Sequence, residues 1–389
     1  MGTGPLDSLS YSELTARRIA DAVLRRELSA VEVAGAALGR MDDLDPWLCA
    51  FTEVWPARAR TVALEVDRAV RRGEALPLAG VPLGLKASEG AGSLQAQRLI
   101  AAGCVPVGTT SVAGKGTDWQ TWGWTDRGPT VNPWRPDLSP GGSSAGSAAA
   151  VGAGCVPLAT GSDGAGSVRI PAAWCGIVGA KPTNGALPAR DRAGLNVGGP
   201  LARTVEDAAA YWQVVIGEDP LRVRPAEPPR AAWSATLGYA ATQDEVRGTA
   251  WRAARALFAS GCVEERETEV ALLDPEPAWR GLRSGHPDAE AVRVREENER
   301  RLERLFGDVD VLLTPTTPNR PHGHRGPGGA MSVAMAWVFN VSGHPAVTVP
   351  AGRTEDGCPV GLQLVGRRGE EATVFSAALA VERSGRGTT

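Results

Sequence analysis

Between Ser139 and Thr183 the chain reads SPGGSSAGSAAAVGAGCVPLATGSDGAGSVRIPAAWCGIVGAKPT, with serines at positions 143, 144 and 167 set in glycine-rich turns. A serine hydroxyl becomes a good nucleophile only when a neighbouring base takes its proton. The usual base, histidine, occurs four times, at His286, His322, His324 and His344, and none of these lies in a recognisable catalytic motif. Lysine is the natural substitute. Free lysine has a pKa of about 10.4, so a neutral amine at pH 7 needs that value lowered by roughly 3, or about 4 kcal/mol, which desolvation can supply. Lys86 follows the apolar run PLAGVPLGL, which reads as a buried strand carrying the amine at its end. Together these residues could perform acyl transfer through serine.

The elements that must hold them can be read around the two glycine/serine islands. A flexible linker would be polar throughout, whereas these islands flank apolar segments and so read as tight turns in a packed domain. Residues 147 to 153 (SAAAVGA) suit a closely packed helix, CVPLATGSD a strand ending near Asp163, and VRIPAAWCGIVGAKPT a buried segment. Residues 10 to 70 read mostly as helices, with capping boxes at Ser10/Glu13 and Ser29/Glu32. Further helices are expected over 94 to 102, 205 to 216 and 246 to 258, and a charged surface helix over 288 to 305. Strands are expected over 105 to 108, 309 to 313 and 346 to 349. Strand, helix and strand in alternation indicate an α/β architecture.

The stretch from GGSS to DGAGSVRIP resembles the signature of the amidase signature family, and its two serines stand 24 positions apart as that pattern requires. GVPLGLK resembles the family's lysine strand, and GPLARTVEDAA, DVLLTPTTP and FNVSGHPAVTVPAG through GLQLVG resemble later blocks in the same order. The resemblance implies one α/β domain with a central mixed twisted sheet covered by helices on both faces. Residues 76 to 389 would form that domain, and residues 1 to 75 a helical lead-in packed on it. It implies Ser167 as nucleophile, Ser143 as proton relay with a cis peptide bond before it, and Lys86 as base. Backbone N–H groups of Gly164, Ala165, Gly166 and Ser167 would form the oxyanion hole. Ser144 would support the network by hydrogen bonding, and Asp163 and Arg169 would brace the nucleophile's turn. The implied activity is cleavage of a carbon–nitrogen amide bond in a small molecule, with neither cofactor nor metal.

Two departures from the family pattern bear on substrate. Most of the loop that normally follows the lysine is missing here, where ASEGAGSLQAQRLIAAG follows directly, and the chain is shortened between about 210 and 310. A trimmed pocket leaves open an acyl transferase of specialised metabolism, using an amine or alcohol in place of water, and a scaffold that has lost turnover. It disfavours the glutaminase subunit of an amidotransferase complex. Trp119, Trp122 and Trp124, just before the GGSS island, could wall a substrate or simply pack in their loop.

Other motifs are weaker. Residues 142 to 146 satisfy GxSxG and would make Ser144 a nucleophile, but the proline-rich run before them cannot be the central strand that motif needs. The pair His322 and His324 lacks an accompanying carboxylate cluster and reads as loop histidines rather than a metal site. The six cysteines are scattered singly, without a CxxC pair. A formal charge of −3 offers no basic field for nucleic acid. No apolar run is long enough to span a bilayer and the start is unlike a signal peptide, so a cytoplasmic location and a small-molecule partner are expected. A homodimer would be in keeping with the family.

Overall fold

The computed structural model describes residues 6–114, 122–188, 191–222 and 227–386. Its strands are β1 (Phe51–Val54), β2 (Pro82–Lys86), β3 (Val105–Thr110), β4 (Trp124–Thr125), β5 (Gly128–Pro129), β6 (Leu158–Asp163), β7 (Val178–Lys181), β8 (Val197–Ala202), β9 (Arg230–Trp233), β10 (Glu264–Glu265), β11 (Val311–Pro315), β12 (Ala346–Arg353) and β13 (Pro359–Gly366). Eleven of them form one mixed sheet in the order β1-β3-β2-β6-β8-β7-β12-β13-β11-β9-β10, and β4 and β5 form a separate ribbon. β2 runs parallel to both β3 and β6, while β6 pairs antiparallel with β8.

Both faces of the sheet are covered, as the alternation of side chains shows. Along β11, Val311 and Leu313 enter one apolar core and Leu312 the other; along β13, Leu362 and Leu364 enter the first and Val365 the second. That period-2 sorting is what a strand does when helices cover both of its faces. The expected α/β fold with a mixed, helix-flanked central sheet is therefore present. Among the described residues no helix is long and apolar enough to cross a membrane.

The helices over 10 to 71 follow the sequence reading with one correction. Ser29 and Glu32 form the expected reciprocal cap of the helix Ala30–Leu48. Ser10 instead lies inside the helix Ser8–Glu13, which Asp7 caps by accepting from Leu9 and Ser10, and Thr15 caps the following helix. Asp7 competes better at the cap because its carboxylate lies at the positive helix terminus. The lead-in also contributes β1, which pairs with β3 at one edge of the sheet.

Three segments converge at two adjacent interior strands of the sheet. β2 ends on Lys86, the neighbouring β6 ends on Asp163, and the helix Ala145–Gly152 starts directly after the GGSS island. Small residues let that helix approach closely: a Cβ on Gly146 would lie 2.1 Å from the carbonyl oxygen of Ala50 and 2.4 Å from the amide of Ser111. At Gly141 the backbone has φ of +83°, and a Cβ would meet Pro171 at 2.7 Å, so the island is pressed against the helix that follows Ser167.

Candidate active site

Lys86 is 3% exposed, and its surroundings come mainly from β6. The backbone N–H of Lys86 donates to Thr160 Oγ1 at 2.9 Å, and its Nζ donates to Ser162 Oγ at 2.9 Å and to the Ser162 carbonyl at 3.3 Å. Thr160 and Ser162 lie two apart on one strand and so share a face. Nζ reaches Ser143 Oγ at 3.0 Å. Burial pushes the amine's pKa down to about 8, with Glu89 and Asp163 partly opposing the fall. The short segment after Lys86 closes as a turn, with Glu89 and Gly90 N–H groups both donating to the Lys86 carbonyl. The helix Leu94–Ala101 begins just beyond, capped by Ser93.

The Gly142–Ser143 peptide bond is cis, as the resemblance implies. The next residue ties the island to the other serine: the Ser144 backbone N–H donates to the Ser167 carbonyl at 3.3 Å. Ser144's hydroxyl differs from expectation, being buried without a hydrogen-bond partner among the described residues. Its contribution to the network is thus made by main chain. What precedes the island is loop rather than a central strand, in keeping with the rejection of Ser144 as an elbow nucleophile.

Between β6 and the helix Arg169–Cys175 the chain turns around the Asp163 carboxylate. Asp163 accepts from the N–H groups of Gly166 at 2.7 Å, Val168 at 3.1 Å and Arg169 at 3.3 Å, capping the helix from within the turn. The Arg169 guanidinium closes on the same carboxylate through Nε and Nη2 at 3.0 and 2.9 Å. Arg169 also donates to the Ala336 carbonyl, Gln363 and Asn340. Burial alone would raise the Asp163 pKa, but Arg169, the Asn340 amide and Lys181 outweigh it and hold the carboxyl well below the usual range.

This arrangement corrects the oxyanion set. The Gly166 N–H is committed to Asp163, so it is not free to face a substrate. Among the described residues no hydrogen bond engages the N–H groups of Gly164, Ala165 or Ser167, and these three are the donors that remain.

The Asp163–Arg169 pair is fully buried on both sides. Replacing Arg169 with methionine strands the carboxylate, and a loss of about 3–5 kcal/mol in unfolding free energy is expected, measurable by urea denaturation. A loss under about 1 kcal/mol would mean that Asn340 and the backbone donors suffice alone.

The tryptophans expected near the substrate divide. Trp119 lies outside the described residues. Trp122 packs edge-on against His322 and His324, with ring centroids 6.0 and 5.7 Å apart. Trp124 stands in the β4–β5 ribbon, 51% exposed. His324 Nε2 is 3.0 Å from the Thr130 carbonyl, and His322 also packs on Trp174, so both histidines brace loops. The indole set directly against the turn that carries Ser167 is Trp279, whose Nε1 donates to the Gly164 carbonyl at 2.8 Å. Sequence reading missed Trp279 and Ser162. The alternating polar residues Thr160 and Ser162 in an otherwise apolar strand were a usable signal for Ser162, while nothing local marked Trp279.

The arrangement brings together a buried lysine, a serine against it and a second serine on a neighbouring turn. Comparison with known proteins places the chain among amidases. The amidase family model matches residues 91–274 and 280–375, and the chain belongs to that family of enzymes, the amidase-type hydrolases. An acylamidase of Rhodococcus erythropolis is 32% identical, over 94% of each protein. That alignment runs over 452 positions against 389 residues here, so this chain is shorter within the matched span. A bacterial aryl acylamidase structure of the amidase signature family superposes with a TM-score of 0.80 at 25% identity, over 95% of this chain and 96% of that one. A peptide amidase of Stenotrophomonas maltophilia superposes with a TM-score of 0.79 at 26% identity, over 97% and 98%.

Proposed function

We propose that the protein hydrolyses an amide bond of a small molecule through an acyl-serine intermediate on Ser167. The observation that carries this reading is the 3.0 Å contact between the buried Lys86 amine and Ser143 Oγ, beside the turn that bears Ser167. Ser167 Oγ attacks the carbonyl carbon as its proton passes to Ser143 Oγ, and the Ser143 proton passes to neutral Lys86 Nζ. The negative charge gathering on the carbonyl oxygen is met by the free N–H groups of Gly164, Ala165 and Ser167. Collapse expels the amine, which takes the proton back from Lys86 by way of Ser143. Water then repeats the sequence on the acyl-serine and releases the acid.

The test is covalent trapping. Incubation with a fluorophosphonate is expected to add one phosphonyl group, located on Ser167 by peptide mass spectrometry. Absence of an adduct, or an adduct on Ser143 or Ser144 instead, would refute the assignment. Adding amines to the reaction is expected to leave the acid as the product. An amide whose yield rises with amine concentration would move the protein to acyl transfer.

A further inference from the structure

Trp279 donates its indole N–H into the turn that carries Ser167. It lies on the helix Glu276–Ser284, which the chain delivers more than a hundred residues after the nucleophile's turn. Each peptide unit is planar, so its carbonyl and its N–H point in opposite directions and fixing one fixes the other. The three unengaged N–H groups of the turn belong to three peptide units, and each of those units has its carbonyl held. The Asp163 carbonyl, partner of the Gly164 N–H, accepts from Asn340 Nδ2 at 3.0 Å. The Gly164 carbonyl, partner of the Ala165 N–H, accepts from Trp279 Nε1 at 2.8 Å. The Gly166 carbonyl, partner of the Ser167 N–H, accepts from the Ile170 N–H at 2.8 Å. The one intervening N–H, that of Gly166, is taken by Asp163.

We infer that Trp279 is a positioning residue for the oxyanion hole: its indole N–H fixes and polarises the Gly164–Ala165 peptide so that the Ala165 N–H meets the developing oxyanion. This rests on the acyl-serine reading above. Ile170 lies on the helix that directly follows the turn, whereas this middle peptide is held by a side chain that a later helix brings in. A hydrogen bond accepted at the carbonyl strengthens the donor at the other end of the same peptide. The indole is itself held, its ring 6.4 Å from that of the fully buried Trp337 and the Arg283 guanidinium 5.8 Å from its centre. Arg283 in turn lies 3.6 Å from Asp191. Ala165 packs in the same small apolar cluster as Trp279.

The test compares wild type with Trp279→Phe on p-nitrophenyl butyrate and on its thionoester, whose sulfur accepts hydrogen bonds poorly. Trp279→Phe is expected to lower kcat on the oxygen ester about tenfold with KM within about twofold, since the lost donor acts on the transition state. The preference for oxygen over sulfur should narrow by a similar factor, because the thionoester gains little from the hole. Benzothienylalanine at position 279 keeps the bicyclic ring and removes only the N–H, and gives the same readout should the phenylalanine variant fold poorly. Unchanged kcat, or a fall in kcat with the oxygen-to-sulfur ratio intact, would overturn the inference. A wild type that releases no nitrophenol, or whose release survives Ser167→Ala, would count against the acyl-serine reading instead.

Discussion

Ser167→Ala is expected to lower kcat for cleavage of an amide such as a p-nitroanilide by about ten-thousandfold or more, with KM little changed. The reason lies in how little of the site the substitution disturbs. Asp163 holds the turn through the backbone of Gly166, Val168 and Arg169, and the Ser144 N–H grips the Ser167 carbonyl rather than its hydroxyl. Alanine keeps all of those bonds, so the amides proposed for the oxyanion hole survive while the proposed acyl acceptor is gone. Residual rate over water would come from the hole alone. The same variant should keep the wild-type unfolding midpoint, because among the described residues none of the bonds the turn makes uses the Ser167 hydroxyl. Single-turnover and steady-state assays check the first expectation and thermal denaturation the second. A variant that retains more than about one per cent of wild-type kcat would exclude Ser167 as the group that carries the acyl chain.

Much of this site was legible because its chemistry and its folding depend on the same short segments. Lys86 could be placed at a buried strand end because the run before it is uniformly apolar, and β2 does end there. The turn after Asp163 could be recognised because an acidic residue, three small residues, a serine and an arginine stand within seven positions, and the carboxylate pins precisely that backbone neighbourhood by local bonds. Local spacing was less informative wherever composition hid the element. The strand β8 lies at the centre of the sheet although its sequence is VGGPLA; a Cβ at Gly199 would lie 2.0 Å from the Ala180 carbonyl, so glycine is required there while it erases the strand signal. The helix Arg169–Cys175 contains Pro171 in its first turn, where the missing N–H costs nothing, and that proline disguised it. The commitment of the Gly166 N–H to Asp163 and the bond from Trp279 to Gly164 were out of reach for a different reason. Both are matters of direction, set by how the turn folds back and by a helix 115 residues away in sequence.

The trimmed segments can be read physically as well. After Lys86 the chain needs only one turn before the helix that carries Gln95, whose side chain accepts from Tyr211 and donates to Glu89 and to the Gly161 carbonyl of β6. The far end of β2 is therefore anchored to β6 without the longer loop. This keeps Lys86 enclosed, which matters because the amine's reactivity depends on its desolvation.

That dependence yields the second large effect, a pH profile that belongs to Lys86. With the amine's pKa near 8 from burial, the neutral form is the minor one at pH 6 and the major one at pH 9. With Lys86 as the proposed base, only the neutral amine is active, so kcat/KM should climb about tenfold per pH unit below 8 and level off above it, with no falling limb from this group. The sign is fixed by the role: a base gains as protons leave, whereas a lysine needed as a cation would give the mirror image. Lys86→Ala should lower kcat/KM by about a thousandfold or more and abolish the inflection near 8, because among the described residues no histidine contacts Ser143 and Lys86 Nζ does. Ser162→Ala offers a graded control. It removes one acceptor at 2.9 Å from a group that is stabilised as a cation by such acceptors, so the inflection should move to lower pH while the maximal rate changes little. An inflection that stays near 8 in Lys86→Ala would assign the titration to another group and remove Lys86 from the proton path.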